Sequence, residues 1–107
     1  MNSSQALDRS FLALSHPARR AIVARLAKGP ATVGEASSSL PLSKPAISKH
    51  LKVLEEAGLL RRSVQGRRHW LQLEARSIED AARWLERHRR LWESKFDAVE
   101  RYLEEAP

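Results

Sequence analysis

The chain of 107 residues contains no cysteine. A disulfide framework, a thiolate metal site and a cysteine nucleophile are therefore all excluded. Glycine is scarce, at four residues, and none falls in a Gly-rich phosphate loop. No apolar run approaches the roughly 18 residues of a membrane-spanning helix. The opening "MNSSQALDRSFLALSHPARR" lacks the basic start and unbroken apolar stretch of a secretion signal. We expect a cytoplasmic protein without a membrane partner. Acidic residues gather mainly in the last third, spaced three or four from arginines, as on a solvated helix face. No serine stands in an evident arrangement with a histidine and an acid. The expectation is a non-enzymatic chain that takes no cofactor.

What is present points elsewhere. The length suits one domain spanning residues 1–107. The net charge is +6, and it is unevenly placed. Residues 44–70 hold seven basic side chains against two acidic ones, whereas residues 71–107 hold seven against nine. A basic centre with an acidic tail suits a polyanion partner, above all nucleic acid.

Periodicity and punctuation divide the chain. Leu7, Phe11 and Leu14 mark a first helix over about 4–14. Pro17 opens a second helix to about Ala27, closed by "KGP". Thr32 and Glu35 form a candidate capping box for a short helix over about 33–39. Ser43 caps a fourth helix that has Pro45 in its first turn and ends at Gly58. "LLRRSVQGRRHWLQL" then reads as a two-stranded hairpin over about 59–73, with Gly66 in the turn and Arg67 and Arg68 at the tip. From Ile78 to about Glu105 the spacing predicts one long amphipathic helix, its stripe containing Ala82, Leu85, Trp92, Phe96, Val99 and Leu103. Trp84, Leu91 and Tyr102 flank that stripe. A domain of this size covers only part of such a helix, so a homodimer is the economical reading.

The fold class expected is mainly α with a small β-hairpin: a winged helix-turn-helix, ordered α-α-α-α-β-β-α. The helix-turn-helix covers about 32–57. Ile47, Leu51 and Leu54 tie its second helix to the core. Lys44, Pro45, Ala46, Ser48, Lys49 and Lys52 are then left for the major groove and its phosphates. Ser43 and the first-turn N–H groups can hold a phosphate. Arg62, Arg67 and Arg68 of the wing suit the backbone or the minor groove. His50 is either a DNA contact or a half-buried internal residue. His16 caps or packs. Arg19 and Arg20 either face phosphate or pair within the fold.

The stretches "HPARRAIVARLAKGPATVGE", "LPLSKPAISKHLKVLEEAGLLRR" and "GRRHWLQL" resemble the ArsR/SmtB family of winged-helix repressors. The resemblance implies a homodimer that binds a pseudo-palindromic operator and represses transcription. It also implies a dimer interface built from the first and last helices, here Leu7, Phe11, Leu85, Trp92, Phe96, Val99 and Leu103. Metal-sensing members carry a Cys-x-Cys pair where Thr32 and Gly34 stand. Glu86 and His88 imitate only half of the other zinc site, with Val99 and Tyr102 at the second half. No metal is therefore expected. The partners expected are double-stranded DNA and a second copy, with an effector of unknown identity left open. The competing reading is a protein-interaction adaptor that binds DNA without sequence preference.

Overall fold

The computed structural model describes residues 3–105, apart from the side chains of Ser3 and Trp92. The elements run α1 (Ser3–Ala13), α2 (Pro17–Leu26), β1 (Ala31–Thr32), α3 (Val33–Ser37), α4 (Lys44–Glu56), β2 (Leu60–Gln65), β3 (Arg68–Leu73) and α5 (Ala75–Glu105). Four helices, a wing and a long last helix follow the order expected from the sequence. The architecture is a winged helix-turn-helix.

Local chemistry sets most boundaries. His16 caps α2, its Nδ1 accepting the Ala18 N–H at 3.0 Å. Ser43 Oγ accepts the Ala46 N–H at 3.3 Å and starts α4. That helix ends with Gly58 at φ +71°, where the Gly58 N–H donates to Glu55 O and the Leu59 N–H to Leu54 O, both at 3.0 Å. This is the paired bonding of a Schellman cap, which favours glycine because a Cβ strains the left-handed region. Gly66, at φ +64°, turns the hairpin for the same reason.

The capping box at α3 is complete. The Glu35 N–H donates to Thr32 Oγ1 at 3.2 Å, and the Thr32 N–H donates back to Glu35 Oε1 at 3.4 Å, with the Thr32 hydroxyl donating to the same oxygen at 2.9 Å. These bonds from Thr32 hold the Glu35 carboxyl below its ordinary pKa of 4.5. The stabilisation is therefore present above pH 4.5 and is lost as pH falls through the lowered value. Thr32→Ala is expected to cost about 1 kcal/mol in urea unfolding at neutral pH. An unchanged midpoint would mean that the strand pairing holds this turn without the cap.

The sheet differs from the expected hairpin. It has three strands in the order β1-β3-β2, all antiparallel. Ala31 pairs with Leu71 and Thr32 with Trp70. Two residues are too short to show alternation, so β1 is visible only through its partner strand. It clamps the wing's root to the start of α3. The core joins Ile22, Leu26, Ala36, Ile47, Leu51, Leu54, Leu59 and Leu71, all buried. Dispersion and apolar burial thus hold α4 and the wing against one cluster.

The last helix is corrected in two ways. It begins at Ala75, three residues earlier than expected, and it turns Ala81 inward while Ala82 is exposed. Trp84 is not an exposed flank. Its ring meets Phe11 of α1 edge-on at 5.5 Å, so these two aromatics seat α5 on α1. Beyond this contact the helix leaves the body. A compact domain of this length has a radius of gyration of about 13 Å. The observed value is 18.4 Å, in a particle 70 Å long.

Candidate nucleic-acid interface

The N-terminal half of α4 presents an exposed basic face on a helix packed against the wing. Burial of Ile47, Leu51 and Leu54 on one side of the helix sets its rotation. Ser43, Lys44, Pro45, Ser48, Lys49 and Lys52 are exposed as a result, and Ala46 is half-buried between them. The first-turn N–H groups lie at the same end, where the helix dipole favours an anion. Among the described residues Lys44, Lys49, Lys52 and Arg67 take part in no ion pair. Among the described residues their charge is not neutralised by an ion pair, and that leaves it available to a polyanion.

The wing places Arg67 beside Gly66 at the turn and Arg68 opposite Gln65. Between the wing and the start of α3 runs an open groove of about 610 Å³, lined by Thr32, Glu35, Arg62, Arg67, Arg68 and His69 among others. Glu35 is the acid in this lining, and it pairs with Arg25 at 3.7 Å.

Arg62 has a different place from the one its charge suggested. Its Nη2 donates to Glu55 Oε1 at 2.6 Å and its Nε donates to the same oxygen at 3.1 Å. Glu55 belongs to α4, so this pair braces the wing's incoming strand on that helix. With side chains only about one-third exposed, it is partly shielded from solvent. Arg61 is likewise engaged, 3.2 Å from Glu74. Glu55 was not singled out from the sequence. The seven-residue separation crosses a helix end and a strand start, and no periodic rule spans that gap.

His50 does not stand with the outward lysines. It is half-buried, and its ring lies 4.4 Å from that of His16, centroid to centroid. Arg19 Nη1 lies 3.2 Å from His50 Nδ1. Arg19 therefore pairs within the fold, with carbonyls and a histidine in place of an acid. Arg20 donates to Leu14 O at 2.8 Å.

Apart from this basic surface, α1 and α5 present apolar surface. Leu7 and Phe11 are half-buried, while Leu85, Phe96, Val99 and Leu103 are each more than half exposed. The Trp92 side chain lies outside the described residues. Glu86 binds Arg89 and Arg90, while His88 stacks on Trp84 at 3.9 Å and bonds the Trp84 carbonyl through Nδ1. Among the described residues no three potential metal ligands come together, and no helix is long and apolar enough to cross a membrane.

Comparison with known proteins bears on this geometry. A helix-turn-helix domain family matches residues 14–63. The chain is similar to the HTH-type transcriptional regulator Rv2034 of Mycobacterium tuberculosis, with 47% identity over 74 residues, 69% of each chain. It is similar also to the transcriptional repressor SdpR of Bacillus subtilis, at 30% identity over 74% of this chain and 88% of the other. Among solved structures, the crystal structure of the ArsR family transcriptional regulator RHA00566 superposes with a TM-score of 0.78. That match has 35% identity and covers 87% of this chain and 96% of the other.

Proposed function

We infer the function from one premise: this chain belongs to the ArsR family of helix-turn-helix transcriptional regulators. We propose that it is a cytoplasmic, homodimeric repressor that binds a pseudo-palindromic operator, with the whole chain acting as one domain. The observation that carries this reading is the unpaired basic face of α4 beside an arginine-tipped wing. Both are fixed to one core, so the two readers keep a constant spacing.

In this reading the N-terminal end of α4 enters the major groove. Lys44 and Lys49 reach guanine edges or phosphate, Ser48 takes either donor or acceptor role, and Ala46 meets a thymine methyl. Lys52 and the Ser43 end of the helix hold phosphates. Arg67 and Arg68 follow the backbone into the adjacent minor groove. Arg62 supports this contact through Glu55. A second copy covers the open stripe of α5 together with α1, and the two-fold axis presents two recognition helices to successive major grooves, about 34 Å apart. Leu7, Phe11, Leu85, Trp92, Phe96, Val99 and Leu103 are the interface residues in this assembly.

Footprinting on the DNA upstream of its own gene, at two salt concentrations, tests the proposal. A discrete symmetric protected site is expected. Lys49→Ala should weaken binding by about 1–3 kcal/mol and relax preference at one base position. Arg67→Ala should weaken all sequences alike and lower the salt slope by about one unit. If both variants bind like wild type, the docking is wrong. Smeared protection lost at modest salt would favour the adaptor reading.

A further inference from the structure

His16, Arg19 and His50 come from two helices and the cap between them, and the operator-reading surface uses none of them. Their bonding pattern constrains their protonation. His16 Nδ1 accepts the Ala18 N–H at 3.0 Å, so its proton sits on Nε2. A guanidinium can only donate, so His50 Nδ1, 3.2 Å from Arg19 Nη1, must also present a lone pair. Both rings are therefore neutral in this arrangement. The same Arg19 donates through Nε to Ala13 O at 2.6 Å and through Nη2 to Leu12 O at 3.0 Å. One side chain thus joins the last turn of α1, the first turn of α2 and the middle of α4.

The directional part of this contact matters. Ile47, Leu51 and Leu54 set the depth and the coarse rotation of α4 by apolar burial, which is non-directional and opposes small rotations only weakly. A charge-assisted hydrogen bond at His50 is directional, and it acts beside Lys49. Reading base edges needs side chains held to within about half an ångström by their supporting groups.

Resting on the DNA-binding reading above, we propose that Arg19 and His50, backed by His16, are positioning residues for the recognition helix, and that they hold it in register only while His50 is neutral. Protonation would place an N–H of His50 against the Arg19 guanidinium. Among the described residues, the charged or titratable groups that bear on His50 are His16 and Arg19. Of the other elements packed against α4, α1 offers carbonyls, and Arg62 of β2 pairs with Glu55. Burial first, then the neighbouring His16 and Arg19, push the His50 pKa below its ordinary 6.5. The unfolded chain then takes up the proton more readily. The stabilisation is full above pH 6.5 and declines as pH falls from 6.5 through the lowered folded value.

Two measurements test this. The first needs no DNA: long-range ¹⁵N–¹H correlation of the imidazoles in the full chain at pH 7.5. Both His16 and His50 are expected as Nε2–H tautomers, with His50 titrating below 6.5. An Nδ1–H tautomer or an ordinary titration at His50 overturns the proposal. The second uses the duplex that wild-type protein selects from a random pool. Recovery of no preferred duplex would count against the operator reading, while the tautomers would still decide the bonding. On a selected duplex at pH 7.5, His50→Leu should lose about tenfold in affinity, since the guanidinium loses its acceptor. His50→Gln, whose amide oxygen can accept from Arg19, should recover most of that loss. As pH falls from 7.5 through the lowered His50 value, wild-type affinity should drop relative to His50→Gln, which cannot titrate. Wild-type-like binding by His50→Leu, or parallel pH profiles for wild type and His50→Gln, overturns the positioning role.

Discussion

Replacing Phe96 and Val99 together by glutamate is expected to leave a folded monomer that has lost at least about 100-fold in operator affinity. The two side chains are 61% and 54% exposed in the single chain, so the core of one copy does not depend on them. In a dimer they would be desolvated, and two buried carboxylates per copy without partners would cost several kcal/mol each in the assembly. The loss at the operator follows from linkage. In a dimer the second recognition helix binds at an effective concentration set by the first, and a monomer forfeits that advantage entirely. Light scattering after size exclusion reads the assembly state, circular dichroism reads the helices, and footprinting reads the operator. A variant that stays dimeric would show that the C-terminal half of α5 is not the interface. A monomer with undiminished affinity would remove the dimer from the mechanism.

Leu54→Ala is expected to destabilise the chain by about 3 kcal/mol, within the range for large-to-small changes at sealed core positions. Leu54 is 0% exposed and shares its cluster with Ile22, Leu51, Leu59 and Leu71. Its carbonyl also accepts the Leu59 N–H that closes the cap of α4. The deletion therefore opens a void where the recognition helix, the wing's root and α2 meet, and partial collapse would tilt α4. Urea unfolding at fixed chain concentration measures the loss, because a dimer would make the midpoint depend on concentration. A cost below about 1 kcal/mol would mean that the helix reseats freely and that its position is not fixed by this cluster. The same variant should bind operator weakly at temperatures where it remains folded.

The cost at Leu54 follows from a core position that periodicity already marked. Ile47, Leu51 and Leu54 fall on one face of a capped helix, so both the burial and the exposure of the lysines opposite are legible in the sequence. The turns were legible as well, since Gly58 and Gly66 occupy conformations that other residues resist. The wing's tip arginines follow from that turn. Three features were not legible. The strand at Ala31–Thr32 is too short to show a period and exists only through its pairing with β3. The inward side of α5 shifted from Ala82 to Ala81 because Trp84 docks on Phe11, a contact across 73 residues of chain. Arg62 reads in the sequence as a free wing cation, and only the fold sets Glu55 beside it.

The division has a physical basis. Capping, turn chemistry and amphipathic spacing act within a few residues, so the linear chain by itself determined the order of the helices and the hairpin, the helix-turn-helix and the basic face. Which charges stay free is decided by neighbours that only folding brings together. The sequence contains nineteen basic residues and does not rank them. Tertiary structure does, by giving Arg19 two carbonyls and a histidine, Arg62 a glutamate, and Lys44, Lys49 and Arg67 no ion pair among the described residues. A partner's position depends on long-range packing, and packing sums over many weak contacts that no local spacing encodes.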